Sequence, residues 1–310
     1  MSVQEAGRGL PQLGLVCITS SDEVRFRTIT RKRLLQLETG EQKRVLRELY
    51  DANLARLDRA LDFCQGRGIR LYRMTSGLFR FADDSIGEDV LSALAADVAR
   101  VGERATALGL RLVLHPDQFV VLNSDAPQVV TNSLKILSTH ARVMDLLRQP
   151  RTAWATIILH GGKSGRAERL VEVIRALPDE MRLRLALEND EYGYGAQEIL
   201  EVCRAAGVPM VFDAHHHVCH ERLTSYDDAS VGAMLDAAAQ TWPQPLWQLV
   251  HISNGREHFA DRHHSDFIDH MPASYRRAPW IEVEAKAKEQ AIAKLSEEWL
   301  GQTLAGEVAA

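Results

Sequence analysis

Cysteine is scarce in this chain of 310 residues: Cys17, Cys64, Cys203 and Cys219 stand far apart, and no two form a CxxC pair. That spacing excludes a zinc knuckle and a disulfide framework, and buried reduced thiols are expected. No run approaches the roughly 20 consecutive apolar residues that a bilayer span requires. The opening MSVQEAGRGLPQ has no apolar signal-peptide core, so a cytoplasmic protein with no membrane partner is expected. Gly/Ser-rich, Pro-rich and low-complexity stretches are missing too, which leaves no linker and predicts a single domain over 1–310. A basic excess is also absent. The 37 Lys and Arg against 42 Asp and Glu give a net charge of -5, so nothing in the overall charge marks a nonspecific nucleic-acid binder. That balance is a weak discriminator, because carboxylates that hold cations are counted as negative.

Hydrophobic residues make up 45% of the chain and charged residues 25%, enough for a sizeable core. Short apolar runs recur, and amphipathic segments follow most of them. Strands are predicted at 13–19, 69–75, 110–115, 155–160, 183–188, 208–213, 247–252 and 280–284. Between them, NLARLDRALDFCQGRG, VLSALAADVARVGERATALG, VVTNSLKILSTHARVMDLL, RAERLVEVIRAL and AQEILEVCRAAG repeat apolar residues at helical spacing. Several of these stretches stop at glycine, notably Gly68, Gly109 and Gly207. Repeated βα units over this length predict an α/β chain folded as a (β/α)8 TIM barrel. Its core is expected at about 13–290, with flexible termini at 1–12 and 300–310. An open doubly wound sheet is the alternative, but no GxGxxG follows the first run to favour a dinucleotide site.

The ends of these runs carry the chemistry. His115 follows LRLVL, His160 follows ATIIL and Glu188 ends RLRLAL; Asp213 and His216 lie in VFDAHHH, His251 follows WQLV, and Glu284 lies in WIEVEAK. An ionisable group at the end of a doubly buried strand is costly unless paired, and metal ligation pairs all of them at once. In a (β/α)8 barrel these positions converge on the C-terminal ends of the strands. With His264 of DRHHSD as a further candidate, the donors are too many for one four-coordinate ion. Two or three divalent ions fit better, bridged by Glu188 or Glu284, and mixed N and O donors without thiolate suit Mn²⁺ or Zn²⁺. Such a cluster performs phosphoryl displacement without a nucleophilic side chain. Accordingly there is no GxSxG elbow, and Cys219 beside the histidines reads as incidental.

With those positions laid out, the chain resembles the UV damage endonucleases, DNA-repair enzymes whose barrel is related to that of endonuclease IV. The matching segments are LGLVCI, RMTSGLF, HPDQFVVLNS, LHGG, LEND, FDAHHH, HIS, HSDFI and EVEAKAKE, in family order from about residue 13 to 290. The resemblance implies a Mn²⁺-dependent enzyme without organic cofactor, expected as a monomer. It would nick double-stranded DNA immediately 5′ to a UV photoproduct, leaving a 3′-hydroxyl and a 5′-phosphate. It also implies that His115, His160, Glu188, Asp213, His216, His251, His264 and Glu284 ligate metal, with Glu188, Glu284 and His251 carrying the chemistry. Gln118 and Phe119 match a pair that enters the duplex beside the lesion. Phe119 and Leu15 stand where the family usually has tyrosine or another aromatic, Leu249 where some members have a modified lysine, and Arg262 where endonuclease IV has the Asp of Asp-x-His.

Other residues leave two readings open. Lys163 and Arg166 in HGGKSGRAER could hold a phosphate or form a plain βα turn. Arg73 and Arg80 could contact the DNA backbone or be structural. Tyr192 and Tyr194 could line the site or pack locally, and Tyr275, Arg276 and Arg277 could meet distorted DNA or form a surface loop. The competing functions are a divalent-metal sugar isomerase or epimerase of the xylose isomerase-like barrels and a DNA-damage sensor that does not cut.

Overall fold

The computed structural model describes residues 9–302, so the outer parts of both expected flexible termini lie outside the described residues. Within them, Gln12 already belongs to the first strand, and Leu300 packs into the core.

Eight short strands form the barrel: β1 (Gln12–Val16), β2 (Leu71–Met74), β3 (Arg111–Leu114), β4 (Ile157–His160), β5 (Leu185–Glu188), β6 (Met210–Asp213), β7 (Leu249–Ile252) and β8 (Trp280–Val283). Every neighbour pairs in parallel, and β8 pairs with β1 to close the sheet. This is the predicted (β/α)8 barrel, and closure removes the edges an open sheet would expose. Each strand keeps only the central residues of its apolar run, because the ends turn into loops.

Strand alternation sorts the side chains. Leu13, Leu15, Tyr72, Met74, Leu112, Leu114, Leu159, Leu187, Phe212 and Val250 point outward into the large core between sheet and helices. Leu71, Val113, Ile158, Ala186, Val211 and Leu249 point inward and form a separate apolar cluster. Gly14 opens room for that layer: a Cβ there would meet Leu71 at 2.5 Å. Two departures from the family pattern are thereby located. Leu15 is fully buried on the outward face, where it packs into the core between sheet and helices; its burial follows from the two-residue period. Leu249 lies in the inward apolar layer beneath His251 and closes the floor of the barrel mouth.

Below that layer, Arg111 is fully buried at the N-terminal end. It donates to Trp154 O at 2.9 Å, Trp247 O at 2.9 Å, Ala153 O at 3.3 Å and Thr156 Oγ1 at 3.2 Å. The rings of Trp154, Trp242 and Trp280 surround its guanidinium at 4.7–5.7 Å.

Helices cover the outside; the longest, Thr39–Gly66, follows β1, and Ala196–Ala206 ends on Gly207 in the left-handed region at φ 71°. The connection after β7 departs from the expected pattern. Among the described residues, 253–279 contain only the 3-10 turn Ala273–Arg277 and no α-helix. Polar side chains brace this stretch instead. Asn254 Oδ1 accepts from Asp269 N and His270 N at 2.9 and 2.8 Å, while Asp261 accepts from Glu257 N and His263 N at 3.0 Å each. A connection this long without a helix is commonly functional, and this one carries His264.

Candidate metal centre

The residues that end the strands converge on Glu188, the last residue of β5, whose side chain is 1% exposed. Its Oε2 lies 2.9 Å from His115 Nε2 and 3.8 Å from His160 Nε2. Its Oε1 lies 2.9 Å from His251 Nδ1 and 3.4 Å from His216 Nδ1. One carboxylate therefore stands among four imidazoles from four different strand ends. Burial alone would raise its pKa, but the charges of His251 and His160 and the hydrogen bonds of His115 and His251 outweigh burial and hold it well below the carboxylate range.

Hydrogen bonds to backbone carbonyls fix two of the histidines. His115 Nδ1 lies 3.0 Å from Pro116 O, and His216 Nδ1 lies 2.9 Å from Asn189 O. Asp213 caps the helix Ala214–Glu221 by accepting from His216 N at 2.8 Å, which explains why the DxxH spacing brings both residues to one point. Asn189 then ties the ends of β5 and β6: it donates to Asp213 O at 2.9 Å and accepts from Asp213 N at 3.0 Å. Burial lowers a histidine's pKa, but Asp213, Glu188 and Glu191 around His216 push it up to about 9. At His160 burial wins and the pKa falls.

A second region of the mouth was only half legible in the sequence. Glu284 sits just past β8 as expected, but Glu282, two residues earlier on the same inward face, is fully buried beside it. His251 lies between the two, with Nε2 2.5 Å from Glu282 Oε2 and Nδ1 3.3 Å from Glu284 Oε1. Burial alone would lower His251, but Glu188 and Glu282 raise it well above its ordinary value. The signal for Glu282 was present: in WIEVEAK, residues 280, 282 and 284 share one face of a period-two strand. Glu191 was also missed; its Oε2 lies 3.6 Å from His216 Nε2.

Three adjoining groups of ligand atoms result: His115, His160 and Glu188; Glu188, Asp213 and His216; and His251, Glu282 and Glu284. Within each group the atoms lie within 4.8 Å of one another, and Glu188 belongs to two groups. His264 belongs to none of them, but its Nδ1 stands 3.7 Å from Glu284 Oε2 on the long β7–β8 connection. Several polar atoms in these groups have no hydrogen-bond partner despite burial, among them His160 Nδ1, Asp213 Oδ2 and Glu282 Oε1. Orphaned donors and acceptors at such density are unfavourable in a bare protein core. Imidazole and carboxylate donors without thiolate fit divalent transition ions.

The remaining expected residues divide. Arg73 is inside the mouth, not on the surface: it pairs with Glu282 at 3.0 Å and with Glu284. Arg73, Gln118, Glu191, Arg262 and Cys17 line a cleft of about 420 Å³ over the ligands. Gln118 and Phe119 form the exposed turn after His115, and Phe119 is 64% exposed. Tyr192 is 65% exposed across the mouth, with the Arg262 guanidinium 3.6 Å from its ring centre. Lys163 is exposed and pairs, like Arg166, with Asp125. Two tyrosines read as possible DNA contacts are structural. Tyr194 is buried and donates to Lys163 O at 2.7 Å. Tyr275 is fully buried; its hydroxyl lies 2.9 Å from His251 O and accepts from Ala214 N at 3.0 Å, so it pins β6 to β7 beneath the centre. Cys64 and Cys203 are buried, Cys17 and Cys219 partly so, and all four are free.

Comparison with known proteins identifies the family. The model of the UV-endonuclease UvdE family matches residues 11–305. A UV DNA damage endonuclease of Nostoc sp. is 55% identical over 292 residues, covering 94% of this chain and 91% of the relative. The UV DNA damage endonuclease of Deinococcus radiodurans is 49% identical over 293 residues, covering 94% and 96%. The crystal structure of SacUVDE has the same fold, with a TM-score of 0.77 at 23% identity over 93% of this chain and 98% of that one. The chain belongs to the UV-endonuclease UvdE family.

Proposed function

We propose that this member of the UV-endonuclease family incises double-stranded DNA immediately 5′ to UV photoproducts, hydrolysing the phosphodiester with two or three divalent ions, Mn²⁺ by preference. The observation that carries the reading is the set of three adjoining ligand groups at the barrel mouth, two of them sharing Glu188. Such ions, when bound, lower the pKa of water and stabilise the attacking and leaving oxygens of an in-line displacement.

The chain's own residues position the reaction. Glu188 and Glu284 hold the two halves of the centre together through His251, and His115 and His216 are oriented by the carbonyls of Pro116 and Asn189. His264 approaches the centre from the helix-free connection, 3.7 Å from Glu284. Gln118 and Phe119 enter the duplex beside the lesion, where a planar side chain fills the gap left by displaced bases. Tyr192, held under Arg262, offers a second aromatic face across the cleft. Lys163 contacts backbone phosphate once Asp125 is displaced from it. A sugar isomerase would instead need a closed pocket around a small substrate, whereas exposed aromatic residues rim this mouth.

The test is incision of a labelled duplex carrying one cyclobutane pyrimidine dimer, with and without Mn²⁺, beside undamaged and abasic-site duplexes. A Mn²⁺-dependent nick directly 5′ to the dimer is expected. Cutting only at abasic sites would move the substrate assignment towards that of endonuclease IV, and aldose–ketose interconversion without any nick would restore the isomerase reading.

A further inference from the structure

The turn after β8 contains a lysine in a backbone conformation that lysine seldom adopts. Lys288 has φ 52° and ψ -116°, the first central position of a type II′ turn, and Gln290 N donates to Ala287 O at 2.9 Å to close that turn. Glycine takes this position without strain; any other residue stays there only when its surroundings hold it. Here they do so from two sides. The carboxylate of Glu289 accepts from Ser20 N and Ser20 Oγ at 2.8 Å and from Ser21 N at 2.9 Å, anchoring the turn to the loop after β1. Lys286 N and Ala287 N donate to Ser265 O and Asp266 O at 3.0 Å, anchoring it to the segment that carries His264.

What is held is a cation four residues beyond Glu284, on a turn fixed between the loop after β1 and the segment that carries His264. Lys288 is half-buried. Among the described residues its side chain makes no hydrogen bond and no ion pair. Cys17 also has a positive φ, 64°, and lines the cleft beside Arg73 and Glu284. Two non-glycine residues with positive φ thus stand just beyond the paired strands β1 and β8, and strain of this kind concentrates where function requires a fixed geometry. A partly desolvated ammonium without a counter-ion is costly alone and favourable once an anion reaches it.

We propose that Lys288 contacts a phosphate of the damaged strand at the metal centre, and that the type II′ turn aims it there. This inference rests on the proposed DNA substrate. The variants are Lys288→Gln, Lys288→Arg and Lys288→Gly, and the readouts are melting temperature and the salt dependence of binding to duplexes with and without one dimer. Losing a single phosphate contact lowers the slope of log K against log salt by about 0.9. Lys288→Gln therefore binds more weakly with that shallower slope, and Lys288→Arg restores it. Lys288→Gly shows the same binding loss but melts roughly 2–4 °C higher, because glycine relieves the turn. An unchanged slope in Lys288→Gln, or wild-type binding by Lys288→Gly, overturns the inference even while the wild-type protein cuts beside dimers. A wild-type protein that neither binds nor cuts DNA overturns the proposed function as well.

Discussion

Two arginines lie inside the barrel, one at each end, and their surroundings are opposites. Arg111 at the N-terminal end is neutralised by no carboxylate; three carbonyls, a threonine hydroxyl and three tryptophan rings enclose it. Burial pulls its pKa down to about 9, with Glu282 opposing from a distance. Arg73 at the C-terminal end meets two carboxylates, yet its Nε has no partner, and neither do several ligand atoms around it. Every nitrogen of the Arg111 guanidinium has a hydrogen-bond partner; Arg73 Nε does not. A satisfied buried charge fixes a fold, whereas an unsatisfied cluster of them marks a place where something else is to bind.

The sharpest way to break that contrast is at Glu188. Glu188→Gln should abolish incision while dimer binding persists, as read by cleavage and by gel shift on the same duplex; loss of both would make Glu188 a structural residue like Arg111. Next in size is Arg111→Met, which strands the carbonyls of Trp154 and Trp247, while Ala153 O keeps its bond from Thr156 Oγ1. Each unsatisfied carbonyl costs about 1–3 kcal/mol, so a loss of at least about 2 kcal/mol is expected in denaturant unfolding, with the incision rate of the folded fraction unchanged. A third test uses the ions: chelation should lower unfolding free energy by about 2.7 kcal/mol relative to protein at a hundredfold excess of metal over Kd. The same drop in Arg111→Met would show that the two ends act independently. The smallest effect is expected at the rim. Phe119→Ala should narrow the affinity ratio between dimer-containing and intact duplex by roughly tenfold, one stacked base's worth, without moving the melting temperature.

How much of this was legible depended on where a residue sits in its strand. His115, His160, Glu188 and Asp213 stood out because each terminates an apolar run, where a polar residue breaks the pattern. Glu282 did not, because the eye follows the last charge in WIEVEAK and the strand buries the one before it. Arg111 opens the run RLVL and reads as an ordinary charge at a strand start; only barrel closure turns it inward beneath three tryptophans. Tyr275 sits beside two arginines and so suggested a nucleic-acid face, but the 3-10 turn sends its ring inward, where its hydroxyl bridges β6 and β7. The missing helix after β7 was the least legible feature. Its loop is held by Asn254 and Asp261, whose side-chain hydrogen bonds to backbone leave no periodicity to read.

The β8–β1 seam has a consequence for how the molecule is made. A chain emerging from the ribosome has β1 early and β8 last, so contacts between them span nearly its whole length and form late. Until then Arg73 has neither Glu282 nor Glu284, and His251 has only one of its three carboxylates. A partly made chain therefore holds scattered imidazoles without the two carboxylates of the β8 end, and the third group of ligand atoms is assembled only when the last strand closes the ring.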